Sequence, residues 1–446
     1  MPVAIINIGR SGAAAARASL ELTAQNIANA SNPDYARRAL SQSEFVGSAT
    51  IGVNSADSLG GVRIGGVSRS ESELVQIQAR NAGSDLARTE AQLVGMRGAE
   101  TALEQSRLFE TLVEFEAALV RLESDPTDPT LRTVTLESAR QLANTFQLAD
   151  RSLSETRRLV QADVTAELES FQVELDELAR INRDLVAARE GSAGRASLLD
   201  QRDASLRSIS EQFGVSVTFA ETGAAEVRLT GTPSPVLVSG GTSSAISAAF
   251  AADGTVTFAV DGQPADPTSG AMVGRAAALL DQAGLQTELD DIAAVVISSS
   301  NSAQASGSEL DGSPGQPLFA GSSAGTITLA LTAGEQLATA PAGAPAGSRD
   351  TTTLGNLINA IGASTGPIAG ADTMLLGLSS RTAGLETRRE GLEIVAQAAE
   401  GQLLAETGVN LDDEAANLVR LQQAFEANGR VIQVAVDIFD TVLNLR

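Results

Sequence analysis

The architecture of this chain is decided by its C-terminal segment, Gly408-Val-Asn-Leu-Asp-Asp-Glu-Ala-Ala-Asn-Leu-Val-Arg-Leu-Gln-Gln-Ala-Phe-Glu-Ala-Asn428, and by the apolar stretch that follows it to Arg446. Its apolar positions step alternately by four and three residues, which is the seam spacing of a coiled coil. One helix cannot bury such a stripe by itself, so a helix predicted over 411–445 needs a partner. The seam positions are Leu411, Ala415, Leu418, Gln422, Phe425, Gly429, Ile432, Val436, Phe439 and Leu443.

A second amphipathic helix lies near the other end of the chain, and the sequence predicts it over 11–30. Leu20, Ala24 and Ile27 fall on one face of it,. Small residues dominate that face, so a partner helix can approach it closely. Pro33 ends the helix, because the residue before a proline is disfavoured in the α conformation.

The two ends are therefore predicted to form one terminal coiled-coil domain, made of residues 1–35 and 405–446. The length of the C-terminal seam favours contacts between subunits over a purely intramolecular core for 411–445. For residues 71–189 the opposite interpretation is favoured, an intramolecular bundle.

Two long helices are predicted in the first half of the chain. Apolar residues at Leu108, Leu112, Phe115, Leu119 and Leu122 form the seam of a helix over 71–123,. Prolines break this helix, and a second one follows to about residue 189. A short break predicts that the two lie antiparallel. Asn182 occupies a seam position of the second helix, where a buried Asn commonly fixes the register of a coiled coil.

Period-two alternation marks a small β domain over 213–267, with hairpin-type turns such as Ala252-Asp-Gly254,. A Gly-punctuated arm with a hairpin is predicted over 36–70. Residues 36–212 and 268–404 are otherwise assigned to a mainly helical rod domain. The predicted fold class is thus mainly α with a β insert, a multidomain α+β protein in which terminal helices, a long antiparallel helical bundle and the small β domain are combined.

The amino-acid composition excludes most kinds of catalytic and metal-binding site. The 446 residues include no Cys, His or Trp, and all 31 basic residues are Arg. Zinc sites of the usual kind, Ser-His-Asp triads and P-loops are therefore excluded. We predict no catalytic, cofactor-binding or metal site and no cofactor. A net charge of −24 disfavours nucleic acid and anionic membrane surfaces as partners,. The N-terminal residues lack the pattern of a Sec signal, and no stretch suffices to span a membrane.

Two short motifs carry a resemblance to a known group of proteins. Asn26-Ile-Ala-Asn29 with Asn32-Pro-Asp-Tyr35 resembles the N-terminal signature of flagellar rod, hook and hook-associated proteins, which together form the flagellar axial superfamily. The usual form of the signature has Thr and Gly where this chain has Asn32 and Asp34.

Further segments narrow the resemblance to the hook-associated protein 1 family. They are Gly408-Val-Asn-Leu-Asp-Asp-Glu-Ala-Ala-Asn-Leu418, Gln422-Gln-Ala-Phe-Glu-Ala427, Phe439-Asp-Thr-Val-Leu-Asn-Leu445, Leu199-Asp-Gln-Arg-Asp203 and Gly307-Ser-Glu-Leu-Asp-Gly-Ser-Pro-Gly-Gln-Pro-Leu-Phe319. They occur in the family's order along the chain, whereas the β insert matches only loosely.

The resemblance implies a structural role without enzyme activity. It implies a homo-oligomeric ring between hook and filament, with the hook protein on one side and a second junction protein, hook-associated protein 3, on the other. It also implies an extracellular flagellar location, export by the flagellar type III system and an export chaperone bound to the C-terminal helix. The residues expected at the assembly interface are the seam positions above except Ala415 and Gly429, with Leu20, Ala24, Asn26, Ile27, Asn29 and Tyr35.

Two other functions are alternatives. One is another axial protein, such as a hook or distal rod component, although the strand content of the middle third argues against it. The other is a surface protein that binds or hydrolyses glycans through the β insert. Arg37-Arg38 is interpreted as a solvated face, and Asp412-Asp413-Glu414 as acids that complement the dipole at the start of the last helix,. Asn26 and Asn29 also fit ordinary helix C-cap residues.

Overall fold

The computed structural model describes residues 2–44 and 60–444 and divides the chain into two compact units. Unit 1 contains Met1–Asp85, Phe171–Ala245 and Leu392–Arg446, and unit 2 contains Leu86–Ser170 and Ile246–Gly391. The chain passes between the units four times, three times within a helix and once at residues 245–246. The described helices are α1 Pro2–Ala28, α2 Glu73–Ser106, α3 Leu108–Ser124, α4 Pro129–Ala187, α5 Ala193–Gln212, α6 Ala271–Ala305, α7 Thr352–Ile361, α8 Pro367–Thr407 and α9 Leu411–Asn444.

The strands form small antiparallel sheets. They are β1 Arg38–Glu44, β2 Val62–Arg69, β3 Val215–Phe219, β4 Ala225–Leu229, β5 Val236–Ser239, β6 Thr242–Ser243, β7 Ile246–Phe250, β8 Val256–Val260, β9 Gln263–Ala265, β10 Gly307–Ser308, β11 Phe319–Ala320, β12 Thr328–Leu329 and β13 Ala340–Pro341. The mainly α fold with small β sheets is confirmed.

The predicted β segment divides into two sheets. Strands β3 to β6 make a four-stranded sheet in unit 1, and β7 to β9 make a three-stranded sheet in unit 2. The predicted hairpin of the arm is the β1–β2 pair, in which Arg38 lies opposite Arg69. The tip of the arm, residues 45–59, lies outside the described residues. The domain boundaries predicted at 1–35, 36–212, 213–267, 268–404 and 405–446 stay predictions.

Helices α3 and α4 lie antiparallel and share the main core of unit 2. The Thr111 and Thr145 hydroxyl oxygens are 3.5 Å apart, and the Thr135 hydroxyl donates to the Ala118 carbonyl at 3.2 Å. Residue numbers therefore increase along α3 in the direction in which they decrease along α4, as in any antiparallel pair. The buried seam residues include Leu112, Phe115, Leu119 and Leu122 as predicted, together with Phe146 on α4.

Two helical features of unit 2 differ from the prediction. The helix predicted over 71–123 is interrupted at Arg107, whose φ of 56° lies in the left-handed region. Local hydrogen bonds accommodate this break, since the Ser106 hydroxyl donates to the Leu103 carbonyl and the Thr111 hydroxyl to the Arg107 carbonyl. Helix α7 was not predicted, although its short apolar face buries Leu354 and Leu357 against the core of unit 2.

Asn182 does not set the register of a coiled coil. Its side chain is buried and forms two hydrogen bonds with the backbone of Ala225, at the first residue of β4. The amide donates to the carbonyl and accepts from the N–H, both at 2.8 Å. The ring of Phe171, also on α4, packs against that of Phe213 with the ring centroids 5.1 Å apart. Asn182 therefore fixes the four-stranded sheet to α4.

Arg132 is the largest fully buried side chain of unit 2, and its partners are chiefly carbonyls. Its guanidinium donates to the Pro126 carbonyl at 2.5 Å, the Leu337 carbonyl at 2.7 Å and the Thr339 hydroxyl at 3.0 Å. Burial lowers the pKa of Arg132, yet a guanidinium stays charged at neutral pH. Arg132 thus joins the start of α4 to the loop before β13.

We expect Arg132→Met to lower the free energy of unfolding by about 3 kcal/mol, because buried acceptors that lose a charged donor keep their full desolvation cost. Chemical denaturation followed by circular dichroism measures the change. The matched control is Arg140→Met on the same helix, an exposed residue that pairs with Glu137 and should change stability by less than about 1 kcal/mol,. Equal losses in the two variants would show that the Arg132 contacts contribute little.

Candidate functional site

The two terminal helices pair antiparallel within one chain. A Cβ built on Gly9 would lie 2.8 Å from Ile432 Cγ1, and one built on Gly12 would lie 2.4 Å from Asn428 Oδ1. Residue numbers therefore increase along α1 in the direction in which they decrease along α9, so the two helices are antiparallel. At Gly9 a side chain would force Ile432 or the helix to shift, so this glycine favours the close approach of the two helices, whereas at Gly12 the nearest atoms belong to the side-chain amide of Asn428,.

The face of α1 that is buried is rotated from the predicted one. Ala15, Ala16, Leu22, Thr23 and Asn26 are buried. Of the predicted face, Leu20 and Ile27 are half-buried and Ala24 is exposed. Helix α1 also starts earlier than predicted, at Pro2, where a proline suits the first turn of a helix,.

The inward face of α9 is likewise not the predicted seam. Its buried or half-buried side chains are Glu414, Asn417, Leu418, Leu421, Ala424, Asn428, Ile432 and Ala435. Only two of the predicted positions, Leu418 and Ile432, belong to this set. A helix with two adjacent stripes of heptad spacing can bury one against α1 and keep the other free.

The free stripe of α9 is apolar and faces solvent. Phe425 is 44% exposed and Phe439 is 41% exposed, and Leu411 and Val436 are exposed as well. Gln422, Ala415 and Gly429 on the same stripe are also exposed. Leu443 lies outside the residues whose side chains are described. We call Leu411, Phe425, Val436 and Phe439 the outer seam.

Asn26 and Tyr35 of the signature bind the arm to α1. The Asn26 amide donates to the Arg38 carbonyl at 2.9 Å, while its oxygen accepts from the Arg38 N–H at 3.1 Å and from the Tyr35 hydroxyl at 2.8 Å. Asn26 is therefore not a C-cap. Asn29 is closer to that role, since its amide donates to the Gln25 carbonyl at 2.8 Å.

A buried ionic cluster continues from the signature. Arg38 Nη2 lies 2.6 Å from Asp200 Oδ2, and Arg69 Nε lies 2.7 Å from Asp200 Oδ1. Arg69 Nη2 also contacts Asp203 at 2.6 Å, and Arg202 contacts Asp203 at 2.7 Å. The cluster ties β1, β2 and α5 together. The Arg38 side chain is only 9% exposed, so the prediction of a solvated Arg37-Arg38 face is wrong.

Arg37 connects the arm to the start of α9. Its Nε lies 2.6 Å from Glu414 Oε1, and its backbone N–H donates to the Thr407 carbonyl at 2.8 Å. The Glu414 side chain is 1% exposed. Asp412 and Asp413 are exposed at the helix start, as predicted for acids that face the dipole, but Glu414 is a buried ion-pair partner instead.

The sequence reasoning missed Asp200, Asp203, Arg69 and Glu414 as site residues. Asp200 and Asp203 carried a signal, because an i, i+3 spacing puts both carboxylates on one face of a helix. The arginines that pair with them come from the distant arm, which no local pattern indicates.

Burial raises the pKa of Tyr35 above its ordinary value of 10.0, and this effect outweighs that of the Arg38 guanidinium, which lies 4.7 Å from the ring centroid. Below the ordinary pKa the phenol is neutral in both states and its stabilising contribution is complete. As the pH rises above 10.0 the unfolded chain ionises first, so the free energy of unfolding falls until the folded protein ionises too.

We therefore expect an alkaline titration of phenolate absorbance to show an elevated midpoint in the folded protein. Tyr35 is the only tyrosine, so the signal belongs to this site alone. Denatured protein, which should titrate near the ordinary value, is the control. A folded midpoint at or below that value would contradict the expectation.

The side chains of the buried ionic cluster form hydrogen bonds and ion pairs that hold segments of one chain together. Across residues 2–44 and 60–444, no group of three or more His, Cys, Asp or Glu side chains is arranged to hold a metal ion. No helix in the described part of the chain combines the length and apolarity needed to cross a membrane.

Comparison with known proteins gives consistent matches. Residues 100–319 match the model of the flagellar hook-associated protein FlgK helical domain, and residues 401–445 match that of the flagellar basal body rod FlgEFG protein C-terminal region. The chain is 26% identical over 225 residues to flagellar hook-associated protein 1 of Salmonella typhimurium and to that of Escherichia coli. Each match covers 49% of this chain and 40% of the relative, so the chain aligns with less than half of these relatives' length.

A solved structure has the same fold. The flagellar hook junction protein FlgK from Burkholderia pseudomallei superposes with a TM-score of 0.64 at 13% identity, over 73% of this chain and 99% of that one. The helical-domain match and the C-terminal match lie in different parts of the chain, and both name flagellar proteins. The chain is therefore similar to flagellar hook-associated protein 1 in its helical domain and to flagellar basal body rod proteins in its C-terminal region.

Proposed function

We propose that this chain is a structural component of the bacterial flagellum, which polymerises as a ring at the hook–filament junction and adapts hook to filament. The observation that carries the proposal is the outer seam of α9. Helix α9 already pairs with α1 through its inner face, so the exposed Phe425 and Phe439 are available for contacts between subunits. An apolar stripe of this kind on a chain of net charge −24 suits an ordered assembly more than a free monomer,.

The proposed interface joins the outer seam to the exposed positions of α1. It includes Ala24, which is exposed, and Leu20 and Ile27, which keep part of their surface. Gln422 supplies a polar position within the seam, and Leu443 continues its heptad spacing. Leu418 and Ile432 lie on the inner face and support the seam from the side of α1. Asn26, Asn29 and Tyr35 act indirectly in this proposal, because they hold the arm in place beside α1.

The remaining partners follow from the family. The hook protein contacts one side of the ring and hook-associated protein 3 contacts the other. An export chaperone covers the C-terminal helix, and the flagellar type III system exports the chain to the cell exterior. The proposal includes no enzymatic activity.

Deletion of the gene, followed by electron microscopy of the cells and addition of purified protein, tests the function. We expect complete hooks without filaments and filament protein in the medium, and restoration by the full chain. A chain truncated before α9 should fail to restore filaments. Normal filaments in the deletion strain would overturn the proposal.

A further inference from the structure

Unit 2 contains a small sheet whose first strand, β7, has an open edge. The strand order is β7-β8-β9, so β7 pairs with β8 on one side only. The Ala251 N–H donates to the Thr255 carbonyl at 2.9 Å, which makes these two residues a hydrogen-bonded pair of the hairpin. Because such pairs alternate along an antiparallel ladder, the backbone groups of Ala248 and Phe250 point away from β8.

The backbone groups on this outer edge have no partner in the chain. Within residues 2–44 and 60–444, the N–H and C=O groups of Ala248 and Phe250 make no hydrogen bond. A row of unpaired N–H and C=O groups is a template for a further extended strand. The group that fits this edge is therefore the backbone of another β-strand.

Strand β7 lacks the features that normally prevent edge-to-edge pairing, which are charged side chains, prolines and bulges. Its sequence Ile246-Ser-Ala-Ala-Phe250 contains neither a charge nor a proline, and its register with β8 is continuous. The opposite edge of the same sheet is protected, because β9 contains Pro264, which has no N–H,. Only the β7 side of this sheet is therefore open to pairing.

The hairpin that carries this edge is held firmly in place. Arg157 of α4 donates to the Ala251 carbonyl at 3.1 Å and also contacts that of Ala252. A Cβ built on Gly254 in the turn would lie 2.5 Å from the Leu279 carbonyl oxygen, so the turn packs directly against α6. The edge is therefore preorganised and loses little conformational entropy when a strand binds.

The side chains of β7 form an apolar row at the edge. Ile246, Ala248 and Phe250 lie on the same face of the sheet as Phe258 and Val260 of β8, which are buried. Ile246 and Ala248 are half-buried and Phe250 is 36% exposed, since the sheet ends at β7. A strand that covers this row should present apolar side chains on the same face.

We propose that the β7 edge binds the β7 edge of a second copy of this chain, in antiparallel register about Ala248. In this register the two Ala248 residues lie opposite each other and exchange both of their N–H···O=C bonds. Ile246 of each copy lies opposite Phe250 of the other, so each apolar side chain at the edge faces an apolar partner. Ser247 lies opposite Ala249 on the other face, without charge repulsion. The strand is complementary to itself, and this complementarity favours a second copy as the occupant.

The proposed contact is two-fold symmetric and small. Both copies use the same surface, whereas a ring is closed by contacts between two different surfaces, so the proposal does not depend on the flagellar function proposed above. One pair of five-residue strands covers less than the roughly 1,000 Å² of a stable interface. The net charge of −24 on each copy opposes association at low salt,. We therefore expect weak, reversible dimers that are favoured at high salt.

A single introduced cysteine tests the register, because the chain has no cysteine of its own. In Ala248→Cys the two Cα atoms would lie about 5.5 Å apart, within the range of about 4.4–6.8 Å that disulfides span. The matched control is Ala249→Cys, whose two copies would lie on the diagonal at about 7–8 Å, too far for a disulfide. With oxidised glutathione at high salt, we expect Ala248→Cys to form covalent dimers at least about 10-fold faster than Ala249→Cys, as measured by non-reducing gel electrophoresis.

Two second substitutions in the Ala248→Cys chain separate this edge from other contacts. Phe250→Glu should slow cross-linking by about 10-fold or more, because it replaces the apolar cross-strand pair at both ends of the contact. Phe425→Asp should leave cross-linking unchanged, because the outer seam of α9 takes no part in the β7 contact. Circular dichroism melting shows that each variant is folded.

Three results would overturn the proposal. The first is a folded Ala248→Cys chain that forms no covalent dimer, which would leave a strand of another protein as the partner of this edge. The second is equal cross-linking of Ala248→Cys and Ala249→Cys, which would indicate random collision. The third is loss of cross-linking in the chain that also carries Phe425→Asp, which would assign the association to the outer seam.

Discussion

Phe425→Asp is expected to abolish incorporation into the hook–filament junction while leaving the isolated chain folded. Phe425 belongs to the outer seam and is 44% exposed in the single chain, so an aspartate there remains solvated in the monomer. In an intersubunit seam the same carboxylate would be buried without a partner, at a cost of several kcal/mol, about 3–5 by analogy with broken buried ion pairs. A loss of that size corresponds to more than about 100-fold in each contact, and a ring repeats the contact in every subunit.

Addition of the variant to cells that lack the gene, with filaments counted by electron microscopy, measures this effect. Phe439→Asp should give the same result, since Phe439 lies on the same stripe and is similarly exposed. The matched control is Gln433→Asp, an exposed polar position of α9 outside the seam, which should restore filaments. Normal restoration by both phenylalanine variants would show that the outer seam is not an interface.

Asp200→Asn is expected to have the largest effect on the stability of unit 1. The carboxylate lies between Arg38 and Arg69, with distances of 2.6 and 2.7 Å. Burial acts against the charged form of Arg69, but Asp203 and Asp200 more than compensate and raise its pKa. An amide of the same shape removes the negative charge and leaves the guanidiniums of both arginines buried. We expect the free energy of unfolding to fall by about 3–5 kcal/mol, as for other buried ion pairs that lose one member.

Hydrogen exchange of the arm and chemical denaturation measure the loss. We expect faster exchange in β1 and β2, because both strands are held to α5 through Asp200. The control is Glu21→Gln, which removes an ion pair with Arg17 whose two side chains are well exposed and should change stability by less than about 1 kcal/mol. A loss no larger than that of the control would contradict a structural role for the cluster.

The features that the sequence predicted correctly are periodic or local. The hairpin of the arm and the seam of Leu112 and Phe115 each follow from residues close together in the chain. The family resemblance also rested on short motifs, and the comparisons confirm it. The expected interface residues were identified from the same periodicity, and they stay a prediction.

Local sequence patterns could not predict which of several distant segments pack against each other. Helix α9 carries two adjacent stripes, and which of them faces α1 depends on contacts between the two ends of the chain, such as that of Gly9 with Ile432. The break at Arg107 depends on a single left-handed residue in an otherwise helical sequence.

By itself, the sequence determined the helical ends, the arm, the absence of His and Cys side chains and the family resemblance, because periodicity, composition and short motifs are properties of neighbouring residues. Only the tertiary structure decided that Arg38 pairs with Asp200 and that Arg37 pairs with Glu414. The physical reason is that burial and ion pairing depend on segments far apart in the chain, and the same arginine is solvated or buried according to what folds against it.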